Sequence, residues 1–365
     1  MTARLDESWN LGSLRVPNRV MLAPLAGIGN WFVRLQAKRY GAGMAVSEMV
    51  SSHAIHHGNE KTCREMLRID PRERESSPPT PPAPGGPGGP VSIQLFGEDP
   101  AVMREAAAVV AERGADAIDI NMGCPVPKVR KTGAGAALLD DPDLAVAVAR
   151  ATVEGAGGGA GRGEGIGAGG IPVTVKLRSG LRPGDDSGFE LAHRLVAEAG
   201  VAAIAFHPRS AAVHHKGTPD YELAARLVES LPAPVILTGG MDDAGAVREA
   251  FAATGAAAVM LARGALGNPW LFAELLQDPT DPHERRPAPE EVLAELDWTI
   301  ERAVEHLGEQ RATRYLRKFY PWYVPRLRLE ARAARALRES LQTADTLAHV
   351  RELLDVARQP SALAV

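Results

Sequence analysis

A lone cysteine directly after a predicted strand is the residue in this sequence best placed to do chemistry. Cys124 lies in "AIDINMGCPVPK", residues 117–128, between Gly123 and Pro125. Gly123 lets the backbone approach a bound molecule closely, and Pro125 stiffens the turn that carries the sulfur. A thiol there is either a small buried side chain at a turn or an acid–base group at the mouth of a pocket.

Other residues with useful side chains also lie at the ends of apolar runs. Gln94 and Asn121 end two of these runs, and Lys176 lies near the end of "VTVKL", followed by Arg178. A lysine there either points into a pocket or extends its ammonium into solvent. His207 ends "AIAFH", where it is either a hydrogen-bonded core histidine or a ligand contact.

Two glycine-containing turns are typical of an anion site. Gly239-Gly240 and Arg263-Gly264 each follow a predicted strand and precede a predicted helix. Backbone N–H groups at such turns, with a guanidinium nearby, bind phosphate groups. The alternative is two tight turns and a surface arginine.

Eight strands separated by helices are predicted to position these residues. The strands are predicted at 19–23, 44–49, 91–96, 117–121, 173–177, 203–207, 234–238 and 258–262. Their Val, Ile and Ala runs indicate burial on both faces and parallel pairing. Eight such units predict a closed (β/α)8 TIM barrel, with a doubly wound sheet of six or seven strands as the alternative. Active sites of TIM barrels lie at the carboxyl ends of the strands, where the residues above would meet.

The composition divides the chain into parts. Residues 1–276 are predicted to form the barrel, 277–289 a proline-rich linker, and 290–365 a smaller all-helical domain. Two low-complexity Pro/Gly segments, 76–90 and 155–170, are predicted to be mobile surface loops because they cannot bury enough apolar surface to offset chain entropy.

Charge and cysteine content exclude several classes of protein. Of 365 residues, 45% are apolar and the net charge is −4, so overall charge indicates neither a nucleic-acid nor a membrane partner. Two cysteines, Cys63 and Cys124, exclude a disulfide framework and a four-thiolate zinc site, and no metal site is predicted. No apolar run approaches the roughly 18 residues of a membrane span. We expect a cytoplasmic monomer.

One segment is much more basic than the rest of the chain. Residues 311–338 contain nine Lys or Arg and one acid, a local charge of +8, which leaves −12 for the rest of the chain. Arg328, Arg332 and Arg335 repeat at i, i+4 and i+7, which predicts one helical face that contacts RNA phosphates. Tyr320, Trp322 and Tyr323 interrupt the segment. The alternative is a solvated helix face over a small aromatic core.

Several motifs together resemble those of the tRNA-dihydrouridine synthase family, closest to its bacterial B-type members. They are "APLAG" (23–27), "SEM" (47–49), "QLFG" (94–97), "NMGCP" (121–125), "VKLRSG" (175–180) and "RGALGNPWLF" (263–272). The resemblance implies an FMN-binding barrel and a C-terminal helical domain. It also implies reduction of the C5–C6 double bond of particular tRNA uridines, D-loop positions for the B type, with NADPH or NADH recharging the flavin.

The resemblance also assigns roles to residues. Cys124 matches the proton donor to C5 of uracil, while the hydride from reduced FMN goes to C6. A thiol suits that role because it is mostly protonated at neutral pH yet yields its proton to a carbanion-like centre. Asn121 and Arg178 match positions that hold the uracil, and His215 stands where an aromatic residue commonly lines the base pocket. The positions matching FMN contacts are Pro24, Leu25, Ala26, Gln94, Lys176, His207, Thr238, Gly239, Gly240, Ala262 and Arg263.

Some positions depart from the family pattern. Leu25 replaces a methionine, and Thr238-Gly239-Gly240 replaces Asn-Gly-Asp after the seventh strand. Two other hypotheses therefore stay open beside tRNA uridine reduction. One is an FMN barrel oxidoreductase that acts on free pyrimidines and has no use for the basic tail. The other is a tRNA-binding paralogue with impaired catalysis.

Overall fold

Eight parallel strands close into a barrel in the computed structural model, which describes residues 3–79, 83–158, 170–277 and 286–359. An antiparallel hairpin, β1 (Trp9–Leu11) and β2 (Leu14–Val16), comes first. The barrel strands are β3 (Val20–Leu22), β4 (Met44–Ser51), β5 (Val91–Phe96), β6 (Ala117–Asn121), β7 (Val173–Arg178), β8 (Ala203–His207), β9 (Val235–Thr238) and β10 (Ala258–Leu261). Their order around the barrel is β10-β3-β4-β5-β6-β7-β8-β9. All eight predicted strands are present, and the predicted (β/α)8 fold class is confirmed.

Helices follow the strands along the chain. In the barrel they are α1 (Trp31–Arg39), α2 (Ser52–His56), α3 (Pro100–Glu112), α4 (Pro127–Arg130), α5 (Pro142–Val153), α6 (Ser187–Ala199), α7 (Tyr221–Ser230), α8 (Ala244–Thr254) and α9 (Trp270–Leu275). The C-terminal region contains α10 (Pro289–Leu307), α11 (Glu309–Leu316), α12 (Tyr320–Tyr323), α13 (Ala331–Thr343) and α14 (Leu347–Ala357). Aspartate side chains accept N–H groups at four helix starts, as expected for good N-caps: Asp99, Asp141, Asp220 and Asp243. Within the described ranges, no helix combines the length and apolarity needed to cross a bilayer.

Buried side chains fill the barrel interior below the carboxyl ends of the strands. Inward-facing residues alternate along the strands, for example Met21 and Ala23, or Ala203 and Ala205, and form a buried cluster with Trp9 of the hairpin. This period of two is what a strand requires when one of its faces lines a barrel interior. Space for a ligand is therefore left at the carboxyl ends of the strands.

A buried glutamate joins the C-terminal helices to the barrel. Glu295 of α10 is fully buried and accepts hydrogen bonds from Gln36 Nε2 at 2.7 Å, Tyr40 OH at 2.9 Å and Arg39 Nη1 at 3.1 Å. Burial raises the pKa of Glu295, while the guanidinium of Arg39 opposes that rise. The apolar core is continuous across the same contact. The boundary between the two predicted domains stays a prediction.

Glu295→Ala should lower the free energy of unfolding by about 3–5 kcal/mol, because it leaves the Arg39 guanidinium without its carboxylate partner in the interior. Glu301→Ala on the same helix is the matched control, since that side chain is 60% exposed, and it should change stability by less than about 0.5 kcal/mol. Urea unfolding of both variants measures the difference. Equal losses would contradict the structural role given to Glu295.

Residues 83–90 pack more closely against the rest of the chain than the prediction of a mobile surface loop at 76–90 implies. Ala83 is buried, Gly86 forms an isolated β-bridge with Ser77, and the Lys38 ammonium donates to the Gly89 carbonyl. A Cβ atom on Gly86 would lie 1.8 Å from the Lys38 carbonyl oxygen, so glycine is what permits this packing. Composition alone does not show such backbone contacts. Residues 80–82 of this segment, 159–169 of the second segment and 278–285 of the predicted linker lie outside the described residues.

Candidate active site

A cavity of about 330 Å³ opens at the carboxyl ends of the barrel strands. Its volume lies within the usual range of small-molecule sites, about 300–1,000 Å³. The structure brings the predicted residues together here, since the lining includes Cys124, Asn121, Arg178 and His215. It also includes the whole predicted set of cofactor contacts: Pro24, Leu25, Ala26, Gln94, Lys176, His207, Thr238, Gly239, Gly240, Ala262 and Arg263. Placement around one cavity is what the predicted roles require, and the roles themselves stay predictions.

The loop that carries Cys124 is held by the last residue of β6. Asn121 Oδ1 accepts the N–H groups of Gly123 at 3.2 Å and of Cys124 at 2.9 Å. The Cys124 carbonyl accepts the N–H of Ala136 at 3.0 Å. Cys124 is partly exposed and lines the cavity. Its thiol is therefore at the mouth of the pocket, as the acid–base hypothesis requires.

Positive charge is concentrated on one side of the cavity. Arg178 is buried and donates to three carbonyl oxygens, those of Gly123 at 2.9 Å, Ser210 at 3.0 Å and His214 at 2.8 Å. Burial lowers the pKa of the neighbouring Lys176, and the Arg178 charge lowers it further. Cations in a site of low dielectric stabilise negative charge more strongly than they would in water.

His207 is neutral in this environment. Burial holds its pKa far below the usual value, and Lys176, Arg178 and Arg209 add to the effect. Arg209 Nη1 lies 3.4 Å from His207 Nε2, which accepts from the guanidinium when the ring proton is on Nδ1. His207 therefore adds no charge to the cavity.

The turn after β9 needs glycine at two successive positions. Gly239 and Gly240 have φ angles of 100° and 77°. A Cβ atom on Gly239 would lie 2.4 Å from the His207 ring, and one on Gly240 would lie 2.6 Å from the Tyr221 hydroxyl. Tyr221 also donates to the Gly239 carbonyl at 2.9 Å. No acceptor among the described residues takes the N–H groups of Gly239 and Gly240.

Met49 is a cavity residue that sequence reasoning missed. The pairing of β4 with β5 shifts register between Val46 and Met49, and this bulge turns Met49 towards the cavity. Glu48 lies instead in a neighbouring cavity, where it accepts the N–H of Gly27 at 2.8 Å. Strand periodicity contains no signal for such a shift. Other lining residues outside the predicted set are His214, Arg209, Met241, Asp242 and Met260.

The prediction that Arg328, Arg332 and Arg335 share one helical face is wrong for Arg328. Helix α13 begins at Ala331, and Arg328 has a left-handed conformation with φ 54° and donates to the Pro287 carbonyl at 3.0 Å. The i, i+4, i+7 spacing of the arginines gives no sign that the helix is interrupted. Pro321 and Pro325 divide this part of the chain into short helices.

The aromatic residues of the basic segment belong to the core. Tyr320 and Tyr323 are fully buried, and Trp322 is half-buried. Arg332 and Arg335 are exposed, and Arg335 pairs with Glu339 at 2.9 Å. Much of the positive charge in this segment is therefore over a packed aromatic core, and part of it is neutralised by acids.

A second basic surface lies beside the cysteine loop. We call Lys128, Arg130, Lys131, Arg182 and Lys216 the mouth cations; all five are exposed. Arg130 and Arg182 line a groove of about 570 Å³ that shares Pro125 and His214 with the wall of the main cavity. Within the described part of the chain, the mouth cations form no ion pair, whereas Arg311 pairs with Glu65 and Arg317 with Asp345.

Barrel and cavity together define a TIM-barrel protein with a ligand site at the carboxyl ends of its strands. Among solved structures, a complex of 2-naphthoyl-CoA reductase matches with a TM-score of 0.54 and 14% identity, over 75% of this chain and 52% of that one. This likeness concerns the fold alone.

Sequence comparison identifies the family. A family model described as "Dihydrouridine synthase (Dus)" matches residues 21–362. The chain is 34% identical over 342 residues to "tRNA-dihydrouridine synthase B" of Pseudomonas aeruginosa, covering 92% of each chain. It is 36% identical over 349 residues to "Probable tRNA-dihydrouridine synthase" of Rhodobacter capsulatus, covering 94% of this chain and 96% of that one. The chain belongs to the dihydrouridine synthase family, and the predicted family is confirmed.

Proposed function

We propose that this chain reduces the C5–C6 double bond of uridines in tRNA to give 5,6-dihydrouridine, with FMN as its flavin and NADPH or NADH as reductant. Family membership supports the reaction class. The observation that carries the proposal is that Cys124 shares one cavity with Lys176, Arg178 and the Gly239-Gly240 turn. That cavity offers a proton donor, a cationic wall and a turn suited to phosphate.

The residues present fit FMN. The free N–H groups of Gly239 and Gly240 and the guanidinium of Arg263 would hold the phosphate, as at other glycine turns with an adjacent cation. Lys176 and Gln94 would hold the ring system. When bound, the reduced flavin supplies the hydride that reaches C6 of uracil, and the nicotinamide restores the reduced flavin.

Cys124 would then complete the reduction. Its Sγ–H donates a proton to C5, and Asn121 and Arg178 hold the base by its polar edge. The Arg178 guanidinium, bound to the Gly123 carbonyl, stabilises the thiolate that remains until solvent protonates it. The Asn121 hydrogen bonds keep the sulfur aimed during this step.

The direct test is to incubate the purified protein with FMN, NADPH and unmodified tRNA transcripts, and to measure dihydrouridine by nucleoside mass spectrometry. We expect dihydrouridine in the D-loop. Equal reduction of free uracil or orotate without RNA would contradict the proposal and favour an oxidoreductase for free pyrimidines. A colourless protein that binds tRNA and takes up no FMN would favour the impaired paralogue.

Gly239→Ala should weaken FMN binding by about tenfold or more, because the new methyl group meets the His207 ring and a non-glycine residue disfavours this φ. Gly200→Ala is the matched control, since Gly200 has φ 71° with no atom within 4 Å of the added Cβ. Titration of apoprotein by flavin fluorescence measures both affinities. Similar FMN affinities in the two variants would argue against the phosphate turn.

We also propose that tRNA contacts the mouth cations in addition to the exposed arginines of the C-terminal region. Lys128→Glu with Arg182→Glu should weaken tRNA binding by about tenfold or more. The same change should lower the slope of log Kd against log salt by about 1–2, because each phosphate contact contributes nearly one unit. Arg328→Glu with Arg332→Glu tests the C-terminal surface in the same assay.

A charge-matched control for both variants is Arg15→Glu with Arg104→Glu, two exposed arginines outside the cavity lining. Filter binding over a range of salt concentrations compares the three variants. Equal loss of affinity in the control would show that net charge, rather than a surface at the mouth, governs binding.

With tRNA as its substrate, we expect the protein in the cytoplasm, where tRNA is modified. We also propose that it works as a monomer, because residues of one chain line the whole cavity described above. Size-exclusion chromatography with light scattering tests this state.

A further inference from the structure

A buried carboxylate in the barrel interior takes no direct part in the chemistry proposed above. Asp119 of β6 is 1% exposed. Its Oδ2 accepts a hydrogen bond from Gln94 Nε2 at 2.7 Å, and its Oδ1 accepts one from Thr174 Oγ1 at 2.5 Å. β6 is already held by backbone pairing with both neighbouring strands. Because a buried charge costs more than an apolar residue of similar size, this carboxylate calls for an explanation.

The hydrogen bonds continue from Asp119 to the cysteine loop. Gln94 Oε1 accepts from Asn121 Nδ2 at 3.0 Å, and Asn121 Oδ1 accepts the N–H groups of Gly123 and Cys124. We call the series from Asp119 through Gln94 and Asn121 to this loop the amide relay. It connects the barrel interior to the backbone beside the reactive sulfur.

The orientation of both amides in the relay is set by its two ends. The loop end offers only backbone N–H groups, so the Asn121 atom facing them must be its oxygen. Its nitrogen then faces Gln94, whose oxygen must accept, and the Gln94 nitrogen faces the acceptor atoms of Asp119. Flipping either amide would place two donors or two acceptors against each other.

We propose that Asp119 is a positioning residue that acts on Cys124 through the amide relay. The inference rests on the proposed function of Cys124 as proton donor. By holding Gln94 in one orientation, Asp119 keeps the Asn121 oxygen on the Gly123 and Cys124 N–H groups, and this holds the sulfur in place. Asn121 is thereby left with no free oxygen for the cavity, and among the described residues its second N–H faces only the Met49 sulfur at 3.7 Å, a weak acceptor that a ligand oxygen can replace. This suits the carbonyl groups of uracil, which accept hydrogen bonds.

The test compares variants that keep or remove an acceptor at position 119. Asp119→Leu removes it. Asp119→Asn keeps it, provided that the Asn nitrogen donates to Thr174 and the oxygen faces Gln94. Leucine keeps most of the side-chain volume, so Asp119→Leu breaks the relay without leaving a large cavity. Thr174→Val alone leaves the carboxylate and the relay intact.

Two measurements report separately on the accessibility of the Cys124 sulfur and on the rate of the reaction. Both use FMN-loaded protein with Cys63→Ser, so that Cys124 is the single cysteine. The first is the rate of Cys124 alkylation by iodoacetamide. The second is the single-turnover rate of uridine reduction in tRNA by prereduced protein. We expect both rates to change by roughly 10–100-fold in Asp119→Leu, with most of the change restored in Asp119→Asn. Thr174→Val should stay within about threefold.

A purely structural role for Asp119 predicts a different result. The melting temperature of Asp119→Leu would fall, while its alkylation and single-turnover rates would equal those of Thr174→Val; that outcome would overturn the proposal. If the parent protein makes no dihydrouridine at all, the proposed function fails. The alkylation rates still decide whether Asp119 positions the cysteine loop.

Discussion

Cys124→Ala is expected to lower the single-turnover rate of uridine reduction by about 10²–10⁴-fold while the protein still binds FMN and is still reduced by NADPH. The reason is that a hydride acceptor such as uracil develops negative charge at C5, which must be neutralised by a proton from a positioned acid. Cys124 lines the cavity on a loop whose N–H groups are held by Asn121. Stopped-flow absorbance separates flavin reduction from the transfer to tRNA.

The other cysteine supplies the control for this experiment. Cys63 lies in the short helical turn Thr62–Met66, and it is absent from the residues that line the cavity. Cys63→Ala should therefore leave both half-reactions within about twofold of the parent, as expected for a partly exposed residue away from the site. A Cys124→Ala protein with full transfer rate would exclude the thiol as the proton donor. Loss of flavin reduction in that variant would point to a different role for the loop.

Lys176→Met is expected to lower the rate of transfer from reduced flavin by about 10²–10³-fold and to weaken FMN binding, because it removes one cation from a cavity that must stabilise negative charge. Methionine keeps most of the side-chain volume. Lys61→Met is the control, since Lys61 is exposed, does not line the cavity and is not one of the mouth cations. It should leave both the transfer rate and the FMN affinity within about twofold.

The same variant makes a prediction about pH. Burial and the Arg178 charge lower the pKa of Lys176 from the ordinary lysine value, so the ammonium loses its proton at a pH below about 10.4. The ratio of the parent rate to the Lys176→Met rate should therefore fall as pH rises through that lowered pKa, since every other titrating group affects both proteins alike. A ratio that stays constant up to pH 10 would contradict the role of the ammonium.

Much of the fold could be predicted from residue patterns within short stretches of the sequence. Runs of Val, Ile and Ala predicted every barrel strand, because a strand buried on both faces must be apolar over four to eight successive residues. Polar side chains and glycines at the ends of those runs then predicted the cavity wall. That inference needed no knowledge of contacts, since parallel strands in a closed barrel place all their carboxyl ends at one rim.

Most of what the sequence missed concerns residues whose environment is set by parts of the chain far away in sequence, whereas the break at Arg328 is local. Arg311 is neutralised by Glu65, 246 residues distant. The packing of Gly86 depends on the Lys38 carbonyl. Arg328 follows a run of short helices that simple periodicity treats as one. The charge count of the basic segment was right, but the sequence alone did not show which of its charges are paired.

By itself, the sequence determined the strand count, the chemical groups at the strand ends and the family motifs, because each of these depends on residue types within a few positions of one another. Only the tertiary structure decided that Met49 rather than Glu48 faces the cavity and that the mouth cations lack acidic partners in the described chain. It also decided that Asp119, Gln94 and Asn121 form one hydrogen-bonded series. Register shifts, ion pairs and hydrogen-bonded series arise when the barrel closes and brings separate strands and loops within a few ångströms.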